Sequence, residues 1–334
     1  YSLGSWEERL VAVSCVAILT AINYVGVRFG GQVTNIFTYL KVAALGALIV
    51  LGVTLAENGT MVHFSPLWGS GPDSGFSFTA FGAAMITGLF AYEGWTFSSF
   101  VAGETRNPKR NLPLSIIAGM LFVMGIYLAA NLVYIYVLPF EQFQASNAVA
   151  SETMRVLIGD TGGLIISIGV MCSTFGGVNV QIMVAPRIFY ALARDGLFFK
   201  SVTKVHPRFH TPSNSILWQG ILTCCFALSG QYDDIISYGA FTSYAFSILT
   251  IVAVVVLRHK RPVWDRPYKV WGYPFTPLIF VAVIGGYLVS LLLSERFLIN
   301  TLIGLGIVAV GIPFYYYWSG KSEDVTSEDV TSDS

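Results

Sequence analysis

The sequence predicts an all-α polytopic membrane protein with nine spans, and three observations carry that expectation. Apolar residues make up 54% of the 334 and charged residues 11%, against roughly 25% charged in soluble domains. That is too little charge to cover a soluble chain of this length. Apolar stretches of about 20 residues, long enough to cross a hydrocarbon core, recur along the whole length. The Lys and Arg residues, finally, gather in one alternate set of loops.

Taken in order, the predicted spans fall at about 10–27, 33–55, 77–101, 113–138, 161–186, 213–230, 234–257, 274–293 and 297–318. Gly, Pro, Asn and charge punctuate the connections, as in Arg28-Phe29-Gly30-Gly31 and Asn107-Pro108. One side of the membrane receives Arg28; Arg106, Lys109 and Arg110; the cluster from Arg187 to Arg208; the cluster from Arg258 to Lys269; and Lys321. These are 15 of the 19 basic residues. The other side has Arg9, Arg155 and Arg296, and Lys41 lies within a span. Basic loops stay in the cytoplasm, so the C-terminus is expected to be cytoplasmic and Tyr1, after an odd number of spans, outside. The chain begins without Met and with nine mixed residues before its first span, so its front is expected to be missing.

Residues 1–320 are read as a single transmembrane domain. Residues 321–334 are read as a disordered acidic cytoplasmic tail, because Ser322-Glu323-Asp324-Val325-Thr326 repeats at once with no apolar face. Asn58-Gly59-Thr60 is a glycosylation triplet in an outside loop and carries little weight. Cys15, Cys172, Cys224 and Cys225 lie inside apolar segments without metal-ligand spacing. His63, His206, His210 and His259 fall in loops. No metal, cofactor, nucleic-acid partner or intramembrane enzyme chemistry is expected, and Ser173 has no histidine at its depth to serve as base.

The third span is the unusual one. It reads Gly88-Leu89-Phe90-Ala91-Tyr92-Glu93-Gly94-Trp95 near its middle, two glycines bracketing a carboxylate. Glycine costs a helix interior roughly 0.8–1 kcal/mol relative to Ala. An acid at mid-membrane costs about 2.5–3.5 kcal/mol on insertion scales. Backbone that leaves the helix at this depth is tolerated where it lines a cavity or is buried in protein. Freed carbonyls there suit an ammonium and a half-helix N-terminus suits a carboxylate, the two ends of an amino acid. A glycine packing seam with Glu93 paired to a neighbour fits the same residues, and both readings stand at this point.

The segments Gly88–Trp95 and Gly103-Glu104-Thr105-Arg106-Asn107-Pro108-Lys109-Arg110-Asn111-Leu112-Pro113 resemble the sixth-helix signature of L-type amino acid transporters. That family belongs to the amino acid–polyamine–organocation superfamily. The likeness continues through Ser173–Asn179 with Pro186-Arg187, Ala193-Arg194-Asp195-Gly196, His206-Pro207, and Leu257–Pro262 with Arg266-Pro267. It covers nearly everything except the tail. It implies a five-plus-five inverted-repeat transporter fold in which the nine spans are family helices four to twelve, and one to three are absent.

The resemblance also implies roles. The unwound first and sixth helices hold the substrate, so Phe90, Ala91 and Glu93 would offer backbone carbonyls, and Phe90 would close as an aromatic lid. Trp95, Phe97, Ser243 and Tyr244 fall where relatives shape the pocket. Lys41 would occupy the place of a sodium ion, partnered by Ser173 or Thr174, which implies sodium-independent transport. Glu93 departs from the small residue of the animal pattern and looks bacterial; its role in binding, proton carriage or fixing the loop stays open.

The function expected is therefore an amino acid transporter, an exchanger or a proton-coupled importer, in a plasma or bacterial inner membrane. Membrane lipids surround it, and a single-span partner subunit is expected only if the source is eukaryotic. The alternatives are a polyamine or organic-cation carrier, with Glu93 as counter-charge, and a non-transporting membrane scaffold. The chain alone is expected not to transport, since half of the implied site lies outside it.

Overall fold

The computed structural model describes residues 5–56, 59–64, 88, 91–209, 211–229, 232–266, 268–293 and 295–332. Every regular element among these residues is helical. In order they are α1 Ser5–Val25, α2 Val27–Thr54, α3 Phe97–Phe100, α4 Pro108–Val137, α5 Phe140–Ala145, α6 Val149–Ile158, α7 Asp160–Val184, α8 Pro186–Arg194, α9 Ser213–Ser229, α10 Tyr232–Lys260, α11 Phe275–Leu293 and α12 Glu295–Ser332. Short 3-10 turns lie at Met61–Phe64, Ala102–Glu104 and Lys200–Thr203.

Seven of these helices are long and apolar enough to cross a membrane. They are α1, α2, α4, α7 running on into α8, α10, α11, and the Thr301–Ser319 part of α12. Their outward faces keep large apolar side chains such as Leu121, Phe122, Leu128, Val252 and Ile279 exposed. That is stable against lipid and costly against water. α9, where another span is expected, is 17 residues long. Most of the expected span 77–101 falls outside the described residues.

Two boundaries differ from the sequence-based expectation. Arg28–Gly31 is read from the sequence as a connection, yet the only break between the first two helices is at Gly26, and α2 is helical from Val27. Packing explains this. Gly30 lies so close to Asn23 of α1 that a methyl group there would collide with the Asn23 side chain. The glycine serves a close helix–helix approach instead of a turn. At the other end α12 continues as helix through Ser332, where no structure is expected. A helix already formed extends without a new nucleus, which composition alone does not register.

α1, α2, α4, α6, α7 and α9 pack as neighbours, and α10, α11 and α12 pack on one another. One buried cluster joins Leu48, Val133, Val137, Leu138, Met154 and Ile166 across α2, α4, α6 and α7. A second joins Val16, Leu19 and Ile182 across α1 and α7. Between them lies a buried polar knot. The Asn23 amide donates to Asn179 Oδ1 at 2.8 Å, and Asn179 Nδ2 donates to the Gly30 carbonyl at 2.8 Å and the Thr34 hydroxyl at 2.9 Å. Asn23 is 1% exposed and Asn179 0%, so these bonds hold α1, α2 and α7 at one relative depth.

Candidate functional site

The helix carrying Gly88 does break. Tyr92–Thr96 form turns between helical Ala91 and α3. Gly94 adopts φ +112°, a conformation open to glycine and strained for any residue with a Cβ. Bonds of the i to i+3 kind then resume, from Phe97 N–H to the Gly94 carbonyl at 3.2 Å and from Ser99 N–H to the Thr96 carbonyl at 3.0 Å. The chain passes through α3 and the Ala102–Glu104 turn before α4. Phe90, the expected lid, lies outside the described residues.

Glu93 sits half-buried at the break, and the Ser243 hydroxyl of α10 donates a hydrogen bond to its carboxylate. The hydroxyls of Tyr244 and Tyr287 lie near the same carboxylate. Tyr244 is 7% exposed, its ring meets Tyr287 of α11 edge-on at 5.2 Å, and its buried hydroxyl has no hydrogen-bond partner among the described residues. A buried phenol without a partner is costly. Three predicted residues, Glu93, Ser243 and Tyr244, are thus brought together. Ala91 is exposed beside them, Trp95 is 39% exposed, and Phe97 packs on Phe100 with ring centroids 5.9 Å apart. Tyr287 joins the group unannounced, because a tyrosine in an apolar span carries no pattern of its own. Tyr127 of α4 likewise supports the break by packing on Tyr92 at 5.4 Å.

The second polar feature is the antiparallel seam between α2 and α7. Asn179 bonds Thr34, a methyl at Gly176 would stand 2.5 Å from Phe37 Cβ, and one at Gly169 would stand 3.2 Å from Ala44. The three pairs share a single register. Lys41 lies one turn beyond Phe37 and one before Ala44 on the same face, and that register sets it level with Cys172 and Ser173. Lys41 and Ser173 are both half-buried. Thr174 points elsewhere: it is exposed, and its hydroxyl donates back to the Val170 carbonyl at 3.0 Å. Among the described residues Lys41 forms no ion pair.

No group of His, Cys, Asp and Glu side chains suited to a metal ion occurs among the described residues. The break supplies irregular backbone, a carboxylate and, among the described residues, one unpartnered hydroxyl at Tyr244 inside an apolar bundle. That arrangement can bind and release a small polar molecule.

Apolar helices of spanning length around an irregular, polar interior define a polytopic integral membrane protein. The chain belongs to the amino acid permease family, whose model matches residues 2–315. It is 33% identical over 321 residues to the mouse large neutral amino acids transporter small subunit 2, covering 94% of this chain and 59% of that protein. It is 30% identical over 323 residues to the serine/threonine exchanger SteT of Bacillus subtilis, covering 95% of this chain and 70% of the relative. The human cystine/glutamate transporter is 30% identical over 329 residues, covering 97% and 64%. The chain therefore spans about three fifths of the mammalian large neutral amino acids transporters it matches. These relatives are named as transporters and exchangers, not as enzymes.

Proposed function

We propose that this chain forms the transporting core of a sodium-independent amino acid transporter, an exchanger or proton-coupled importer that works by alternating access. The observation that carries the proposal is the break at Tyr92–Thr96, which lies against the Glu93–Ser243–Tyr244 cluster. Irregular backbone at membrane depth is stable only where it is enclosed by protein or lines a cavity, and half-helix ends there fit the charged ends of an amino acid. Substrate would lie against Ala91, Glu93, Trp95 and Phe97, with Phe90 as lid and Ser243 and Tyr244 on the facing helix. Lys41 would stand in for a coupling ion beside Ser173.

The relatives' names support an amino acid as substrate: large neutral amino acids, serine or threonine, cystine or glutamate. In the proposed arrangement nine spans correspond to family helices four to twelve of a five-plus-five repeat, with the C-terminus and its acidic tail in the cytoplasm. The membrane is a plasma or bacterial inner membrane. The words "small subunit" in the mammalian relatives' names support a partner subunit if the source is eukaryotic.

Counterflow in proteoliposomes tests the proposal, using protein expressed from its whole reading frame and a panel of labelled amino acids. Uptake of at least one, unchanged when choline replaces sodium, is the expected result. Folded protein that moves none of them would refute transport, and strong sodium dependence would refute the role of Lys41.

A second reading, transport of a polyamine or organic cation, draws on Glu93. It is a half-buried carboxylate whose described neighbours are hydroxyl groups instead of cations. The Glu93→Gln variant separates the two. A dicationic substrate should lose transport altogether, whereas a neutral amino acid should still bind, with any loss falling on coupling.

A further inference from the structure

The break has a cytoplasmic end, and a single arginine holds it. Just past α3, Glu104 closes the Ala102–Glu104 turn and receives the Arg187 guanidinium through both oxygens. Nε donates to Oε1 at 2.5 Å and Nη2 to Oε2 at 2.8 Å. This two-pronged geometry is among the strongest that side chains make. Arg187 stands at the start of α8, directly after Pro186, at the junction where α7 gives way to α8 through Ala185. Its remaining Nη1 turns back to the carbonyl of Met183 in the last turn of α7. The Arg187 side chain is 11% exposed, while that of Glu104 is 56% exposed. One group is therefore fixed in the bundle and the other is free to leave toward water.

The same segment has a second anchor of a different kind. Asn107, in the left-handed conformation at φ 48°, turns the chain into α4. Two residues on, Lys109 pairs with Asp265 of the α10–α11 connection at 2.8 Å, with side chains 69% and 77% exposed. Exposed pairs of this kind contribute little.

We infer that Glu104 and Arg187 are a positioning pair for transport: closed, they clamp the cytoplasmic half of the broken helix to the α7–α8 junction, and they part when the site opens to the cytoplasm. The inference rests on the transport reading of the break, and it goes further in naming the contact that governs one side's access. α7 also carries Ser173, level with Lys41. The pair therefore links the two polar features of the molecule through the continuous α7–α8 segment.

The test reads access directly, without requiring uptake. In full reading-frame protein whose four cysteines are replaced, Ala91→Cys is labelled from the cytoplasmic side with a membrane-impermeant maleimide. Glu104→Gln, which abolishes the charge and keeps the shape, should raise the labelling rate about tenfold, the scale of a charge-assisted bond lost. Arg187→Lys, which keeps the charge and loses the fork, should give a smaller rise. The exchange Glu104→Arg with Arg187→Glu should restore the slow rate, and Lys109→Ala should leave it unchanged. Uptake measured alongside should show a shifted KM for cytoplasmic substrate and little change for external substrate. Unchanged labelling in folded Glu104→Gln would overturn the inference, as would a rise that the exchange fails to reverse. If Glu104→Gln and Arg187→Lys both fail to yield monodisperse protein, the pair is a folding support and the inference also falls. Labelling that responds in the Ala91→Cys series, while protein with Ala91 intact takes up no amino acid, would instead refute the transport reading alone.

Discussion

A charged group in a bilayer persists only where surrounding protein compensates for lost water, whereas one outside it is held by its partner; Lys41 and Glu104 show the two cases. Lys41 is compensated by position, on the tight face of α2 and level with Ser173 in the register set by Phe37–Gly176 and Ala44–Gly169. If its ammonium links the helices around the site, Lys41→Gln should cut uptake by roughly 5–150-fold, the usual span of a coupling energy. Added sodium should not recover it; counterflow with and without sodium checks both points. Glu104 lies in the Ala102–Glu104 turn, where the hydrogen bonds from Arg187 outweigh partial burial and hold its carboxyl below the usual carboxylate range. A depressed folded-state value means the pair's contribution to stability is complete above the unfolded-state value. It is then lost as pH falls through the folded one. The thermal midpoints of wild type and Glu104→Gln should therefore differ at neutral pH and converge only below about pH 4. Convergence already at pH 6 would contradict the pairing.

Helices are joined here by small residues and amides more than by greasy contact, as expected where lipid competes for every apolar surface. Asn179 shows how much one side chain can hold, since α1, α2 and α7 all meet on it. Asn179→Leu keeps the volume and removes three buried hydrogen bonds, leaving Asn23 Nδ2 the Leu19 carbonyl and the Gly30 carbonyl the Thr34 hydroxyl. It should cost about 1–3 kcal/mol, seen as a lowered thermal midpoint in detergent. Thr174→Val, an exposed site one turn away on the same helix, should be close to neutral. The amide knot itself was not legible in the sequence, although Asn179 ends a stretch that the family resemblance singled out. What was legible follows from hydropathy: long apolar runs give long helices whatever their partners, so α1, α2, α4, α7, α10 and α11 fall close to the expected spans. The Gly88–Gly94 break was equally legible, because glycine and a carboxylate violate the helix and membrane rules together. Arg28–Gly31 misled because glycine in close packing and glycine in a turn are the same letter. The Glu104–Arg187 pair was invisible because its halves lie 83 residues apart in sequence, and no local pattern records a contact of that range.

At the scale of the whole molecule, the distribution of charge sets direction. The 15 basic residues expected on one side include Arg187 and Lys109, the cations of the Glu104 and Asp265 pairs. Charges expected to orient the chain are thus the same ones that tie its loops together. On the opposite side the described contacts include one local ion pair, Arg155–Asp160 at 3.2 Å, and an uncharged tie: the Met61–Phe64 turn is pinned to the end of α4 by His63 Nδ1, which lies 3.2 Å from the carbonyls of Ile135 and Tyr136. Both partners are acceptors, so that nitrogen carries the proton. This asymmetry makes orientation testable from either side. A tag after Ser334 should react with antibody only once cells are permeabilised, and Met61→Cys, at an exposed position, should label with an impermeant maleimide in intact cells. Charge bias of this size rarely yields to other signals, so the two results should agree. A C-terminal tag accessible in intact cells would invert the topology, moving the Glu104–Arg187 clamp to the outer face and turning the cytoplasmic gate proposed for it into an external one.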